Sequence, residues 1–186
     1  MADRLHVMMD LETWGTRPGS AIRSIGACVF NMEGHNPERH SVFYTNISDE
    51  SCLSAGLTKD ESTVQWWSEQ SEAAQQVLAE NPRSLRDAVL GFNLWLGRQG
   101  DDVRLWAHGA SFDPVLWQAA CDAVGEPFAV KFWDFRDTRT VYDLAEINLR
   151  QHRTAEMVHH YALDDCVAQS NAVAEGLRKL LGNPHD

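Results

Sequence analysis

Positive charge is what this chain has little of. Its 186 residues carry 16 Lys and Arg against 27 Asp and Glu, a net charge of −11. That balance argues against strong, non-specific binding of duplex nucleic acid. It does not exclude an enzyme acting on nucleic acid, because bound metal ions supply positive charge locally. Cysteine is also sparse. Cys28, Cys52, Cys121 and Cys166 are scattered, with no C-x-x-C pair. This excludes a disulfide frame or a cysteine zinc site and points to reduced core thiols in a cytoplasmic protein. No apolar run approaches the length of a membrane span, so no membrane partner is expected. The first strand begins so early that no room is left for a secretory leader. Repeats, low-complexity tracts and interdomain linkers are lacking too. With 44% hydrophobic and 23% charged residues, composition is that of an ordinary globular chain. A single domain over residues 1–186, long enough for a sizeable core, is the expectation.

What is there is organised around Leu5-His6-Val7-Met8-Met9-Asp10-Leu11-Glu12-Thr13-Trp14-Gly15. An apolar run with Val and Leu reads as a buried strand. Successive strand side chains point to opposite faces, so Asp10 and Glu12 share one face. Two carboxylates together at the end of a buried strand repel each other and are costly to desolvate. A divalent cation between them removes that cost. The plain alternative is a solvated strand end with acids in its turn.

Further along, residues 21–30 and 41–47 read as second and third strands of an antiparallel meander, with Gly26 marking a bulge or a close backbone approach. Residues 49–59 read as a loop. Ser62-Thr63-Val64-Gln65 has the form of a capping box for a helix reaching Glu80, where Asn81-Pro82 ends it. Leu85, Val89, Phe92 and Leu96 mark an amphipathic helix over 84–98. Strands are expected at 103–107 and 129–132, and helices at 112–124, 138–149 and 162–181. Hairpins followed by alternating strands and helices predict an α/β fold, a mixed sheet covered by helices.

Two more acidic sites stand out. Trp106-Ala107-His108-Gly109-Ala110-Ser111-Phe112-Asp113 runs from a strand through a turn into a helix, with Pro114 suited to the first helical turn. Alone, Ser111 or Asp113 is equally well an N-cap. Val158-His159-His160-Tyr161-Ala162-Leu163-Asp164-Asp165-Cys166 sets a histidine five residues before an aspartate at a helix start, in two frames. Helical phase does not choose between His159/Asp164 and His160/Asp165. A lone acid there would simply favour the positive end of the helix dipole.

Taken in order, Asp-x-Glu, helix-start Asp and His-x-x-x-x-Asp resemble the DEDDh 3′–5′ exonucleases of the ribonuclease H-like superfamily. The resemblance covers nearly the whole chain. Asp10-Leu11-Glu12-Thr13 is similar to the first motif. His108-Gly109-Ala110-Ser111-Phe112-Asp113 is similar to the second, usually His-Asn-Ala-x-Phe-Asp, with Gly109 departing from it. The third, usually His-x-Ala-x-x-Asp, selects His160, Ala162 and Asp165. Ser62 to Trp67 further resembles a phage and prophage branch, close to mycobacterial exoribonuclease-like proteins. The resemblance implies a ribonuclease H-like sheet, an antiparallel meander followed by parallel strands, flanked by helices. It implies two divalent cations, Mg²⁺ or Mn²⁺, held by Asp10, Glu12, Asp113 and Asp165, with Asp10 bridging both. Glu12 and Asp165 would hold the ion that activates water, and Asp113 would support the other. His160 would be the general base, its ordinary pKa being near neutral. Asp164 is the reserve carboxylate.

The implied partner is the 3′ end of single-stranded RNA or DNA, two sugars that nothing here separates. Thr13, Trp14 and Phe112 are candidates for binding it, since aromatic side chains stack on unpaired bases of any sequence. Trp66 and Trp67 would form a second platform or part of the core. Arg17, Arg136 and Arg139 are candidate phosphate contacts or solvated charges. A homodimer is compatible with the resemblance. The reading from another class is an exonuclease-like domain without turnover that binds nucleic acid or a protein partner.

Overall fold

The structure is a computed structural model and describes residues 5–35, 41–100 and 102–182. Strand β1 (Leu5–Thr13) pairs antiparallel with β2 (Ile22–Asn31), setting Asp10 opposite Gly26 and Glu12 opposite Ser24. The short β3 (Gly34–His35) and then β4 (Val42–Asn46) continue the meander along the free side of β2. Strands β5 (Val103–Ala107) and β6 (Phe135–Asp137) add in parallel on the other side of β1. The order is β3-β2-β1-β5-β6, with β4 also on β2. The ribonuclease H-like mixed sheet is therefore present, with β1 at its centre.

Alternation along β1 separates two cores. Val7, Met9 and Leu11 face a large cluster that includes Phe92, Trp95, Leu116 and Trp117. Those last four come from α4 (Leu85–Gln99) and α5 (Asp113–Ala123). Met8 faces the other way, onto Val141, Tyr142, Cys166 and Val173. These belong to α6 (Thr138–Ala145) and α7 (Ala162–Leu181). Asp10 and Glu12 have the parity of Met8, so they emerge where α7 begins. All four cysteines are buried and free.

Gly26 marks a close backbone approach. A Cβ there would lie 2.5 Å from the carbonyl carbon of Ala162. Only glycine lets the first turn of α7 sit directly on β2 beside Asp10. The bulge in this hairpin lies instead at Glu12/Thr13.

Several local expectations need correction. The segment read as a loop holds α1 (Asp49–Ser54), capped by Ser48, whose side chain accepts from Ser51 N–H. Two acids in its first turn favour it further. The capping box at Ser62 does not form. Helix α2 (Glu61–Ser68) starts two residues earlier, from Asp60 as N-cap, and Gln65 donates to Glu69 at 2.9 Å instead. The helix also breaks before Glu80, because Ser71 caps a separate α3 (Glu72–Ala79). No strand forms at 129–132. Ala129 N–H turns to the Asn93 side chain at 3.3 Å, and pairing with β5 begins only at Phe135. Helix α6 ends at Ala145, short of Leu149, with Glu146 in the left-handed region at φ 53. A 3₁₀ turn, Leu149–His152, follows. Among the described residues, no helix is long and apolar enough to cross a membrane.

Candidate active site

A cleft of about 510 Å³ opens at the C-terminal end of β1, lined by Asp10, Glu12, Asp113, His160, Asp165 and Gln169 among others. Asp10 and Glu12 arrive by strand alternation. Asp113 is the first residue of α5, behind Phe112, which supplies no side-chain cap. Neither Ser111 nor Asp113 is the N-cap. Strand β5 stops pairing with β1 at Met8, and Asp113 Oδ1 accepts the Leu11 N–H at 3.1 Å. The carboxylate thus continues the ladder where the strand stops. Asp165 lies in the first turn of α7, over Gly26.

Acids so placed resist ionising. Burial raises the pKa of Asp10 well above the usual carboxylate range, and Asp113, Asp165 and Glu12 raise it further. Burial raises Glu12 similarly, with Asp165 and Asp113 adding. Asp113 is pushed up to about 7, chiefly by burial. Such a cluster of hard oxygen donors has the chemistry of a divalent cation site. Donor atoms of Glu12, His160 and Asp165 lie within 4.8 Å of one another. Gln169 Oε1 is buried with no hydrogen-bond partner, although its Nε2 donates to Asp10 Oδ1 at 2.8 Å. The Arg153 guanidinium pairs with Asp165 Oδ1 without good hydrogen-bond geometry. Unmet acceptors around a carboxylate cluster fit an ion and its water.

His160 and Asp164 part company. His160 lies in the cleft at φ 63, its ring edge-on to Trp66 at 4.9 Å. Burial lowers its pKa below the ordinary imidazole value, and His159 and Arg153 lower it further against the pull of Asp165. His159 is exposed. Asp164 accepts the Val158 N–H at 2.8 Å and lines a different hollow, so it closes the loop before α7.

A second hollow of about 370 Å³ adjoins the cleft and shares Leu11, Glu12 and Phe112 with it. Thr13, Trp66 and Trp67 complete much of its wall. Trp67 is anchored by its Nε1–H donating to Thr13 O at 2.8 Å, while Trp66 is 43% exposed. Trp14 is not brought to either cavity. Arg23 and Lys59 each lie 4.1 Å from its ring centre, and its Nε1–H donates to Asp49.

A family model described as the 3′–5′ exoribonuclease Rv2179c-like domain matches residues 5–177. The chain belongs to this 3′–5′ exoribonuclease family. It is also 25% identical to the exodeoxyribonuclease of enterobacteria phage T4, over 94% of this chain and 90% of that one. Solved structures share its fold. E. coli exonuclease I in complex with a dA16 oligonucleotide matches at TM-score 0.61 and 16% identity, over 95% of this chain. The chain spans only 41% of exonuclease I. S. pombe Pop2p, in its Mg²⁺- and Mn²⁺-bound form, matches at TM-score 0.58 and 15% identity, over 95% of this chain and 83% of that one.

The motif reading found the carboxylates and His160 but not Gln169 or Arg153. Gln169 had a signal: it follows Asp165 by one helical turn and so shares its face. Arg153 had none, because it comes from an irregular segment 12 residues before Asp165.

Proposed function

We propose that the protein is a metal-dependent 3′–5′ exonuclease acting on single-stranded RNA or DNA ends, as one domain over residues 1–186. The observation that carries this is convergence. Four carboxylates and a histidine, drawn from three distant parts of the chain, meet in one cleft beside an aromatic hollow. Asp10, Glu12, Asp113 and Asp165 would hold two ions of the Mg²⁺ or Mn²⁺ type, Asp10 between them, Glu12 and Asp165 on the attacking side, Asp113 on the leaving side. Such ions supply an activated water and neutralise charge on the departing oxygen. His160 takes the proton from the attacking water, and its lowered pKa keeps it free to do so at neutral pH. Gln169 holds one oxygen of Asp10, leaving the other for an ion. Phe112, Trp66 and Thr13 offer the hollow in which the 3′-terminal base stacks.

Single-stranded RNA and DNA, each labelled at either end, test the reading when incubated with Mn²⁺ or EDTA. The expected result is stepwise shortening from the 3′ end with release of single nucleotides, in Mn²⁺ only. Binding without shortening would favour the domain without turnover.

A further inference from the structure

We propose that Arg139 and Arg153 clamp two successive phosphates of the substrate strand, Arg153 the scissile one and Arg139 the next toward the 5′ side. The inference rests on the exonuclease reading above. Among the described residues, these two are the Lys or Arg side chains that line the cleft. Arg153 is paired with Asp165 and is 20% exposed. Four carboxylates are matched in charge by two divalent ions. Once the ions are held, the guanidinium faces no unmatched carboxylate, and the anion left to enter is a phosphodiester. Its planar fork fits two oxygens of a phosphate.

Arg139 is placed with equal definition. Asp137 accepts the Arg139 N–H at 2.8 Å through one oxygen and the Ala110 N–H at 2.7 Å through the other. One carboxylate thereby fixes the start of α6 to the loop before Asp113. The Arg139 guanidinium lies over Gly109, where a Cβ would come within 3.0 Å of Nη1 and φ is +110°. A side chain at 109 would take that seat. Arg139 stands in the first turn of α6, beside the Asp137 carboxylate that caps the positive end of the helix dipole. With the helix end capped by Asp137, what Arg139 offers a phosphate in the cleft is its guanidinium.

Geometry also orders the two. Arg139 lines both the cleft and an open depression along α6 with Thr140, Asp143 and Leu144. It approaches the cleft from the side of Asp113, the carboxylate placed on the leaving side. The departing oxygen belongs to the retained strand, so the next phosphate lies beyond it. Arg153 stands at Asp165, on the attacking side, and is therefore assigned to the scissile phosphate.

The test compares two trinucleotides. One has ordinary linkages. The other has a neutral methylphosphonate at the linkage 5′ of the scissile bond, which removes one charge and little else. In wild type with Mn²⁺, the neutral linkage should lower kcat/KM roughly tenfold, the scale of one charge-assisted hydrogen bond. Arg139→Ala should bring the ratio close to one, and Gly109→Ala should move it the same way. Arg153→Ala should lower both substrates together and keep the ratio. Equilibrium binding of the two trinucleotides, read by fluorescence anisotropy in Ca²⁺, should show the same pattern. A wild-type ratio near one, or a ratio that survives Arg139→Ala, overturns the clamp. Wild-type protein that shortens neither trinucleotide overturns the exonuclease reading, and the binding ratio then decides the clamp by itself.

Discussion

The floor and the wall of the cleft are built differently. The floor is four carboxylates on regular elements. Asp10 and Glu12 sit on the central strand, and Asp113 and Asp165 in the first turns of α5 and α7. The facing wall, His160 and Arg153, comes from residues 153–161, which contain neither helix nor strand. Floor side chains are fixed by core packing and by bonds such as Leu11 N–H to Asp113. The wall hangs on few ties, chiefly Val158 N–H to Asp164. Segments with few buried contacts open more readily than core elements. The carboxylate floor is therefore rigid, and the groups of the facing wall can adjust.

The largest effect should come from the floor. Asp10→Asn is expected to lower turnover at least about 10³-fold with the fold intact. It also removes like-charge repulsion, so the Tm of the metal-free variant should match or exceed wild type. Turnover near the wild-type rate would break the assignment of Asp10 to the ions.

The wall gives the next effect. His160→Ala should cost about 10²–10⁴-fold in turnover, and His159→Ala no more than a few-fold. Because burial lowers the His160 pKa, the acid limb of the wild-type pH–rate profile should lie below the ordinary imidazole value. His160→Ala should flatten that limb. If His159→Ala is instead the inactive variant, the frame moves by one residue and Asp164 takes the place of Asp165.

Support for the floor is smaller but measurable. Gln169→Leu removes the amide donor to Asp10. Mn²⁺ affinity, measured by calorimetry, should weaken about 10-fold, as for other groups that orient a ligand. An unchanged affinity would mean that the strand alone orients Asp10.

The mildest test is stability against pH in EDTA. Asp10, Glu12 and Asp113 have raised pKa values in the folded state, Asp113 to about 7. An unfolded carboxyl ionises near pH 4. The native state therefore keeps protons that the unfolded chain has lost, and stability falls as pH rises from about 4 toward 7. Tm should drop by several degrees or more over that span, since each unit by which a carboxyl pKa is raised is worth about 1.4 kcal/mol. Saturating Mn²⁺ should cancel the drop, since ions that bind only the native site stabilise it. A Tm that rises over the same range in EDTA would contradict the packed carboxylate floor.

Much of the floor was legible in the sequence. Strand parity put Asp10 and Glu12 on one face, and the helix over 162–181 is found at those bounds because its apolar periodicity is long and uninterrupted. Periodicity could not see the break at Glu69–Ser71, the helix at 49–54, or the shift of the last strand from 129–132 to 135–137. Those are settled by short caps and by which N–H finds which partner, and local pattern is weakest there. Spacing also left His159/Asp164 and His160/Asp165 tied, until resemblance to a family motif favoured the second.

What the sequence determined by itself was that acids stand at three strand and helix junctions, Asp10 and Glu12 on one face, because strand and helix pattern locate those junctions; the choice of Asp165 over Asp164 came from the resemblance. What only the tertiary structure decided was which neighbours meet them. Gly26 lets α7 press onto β2. That contact brings Asp165 and Gln169 to Asp10 across more than 150 residues of chain. Arg139, one of three arginines the sequence offered as phosphate contacts, reaches the same cleft from a helix end, and Arg153, which carries no local signal, reaches it from a loop. Trp14, beside the first motif in sequence, is turned away because Arg23 and Lys59 cover its ring. Proximity of that kind is a property of packed elements, and no spacing along the chain encodes it.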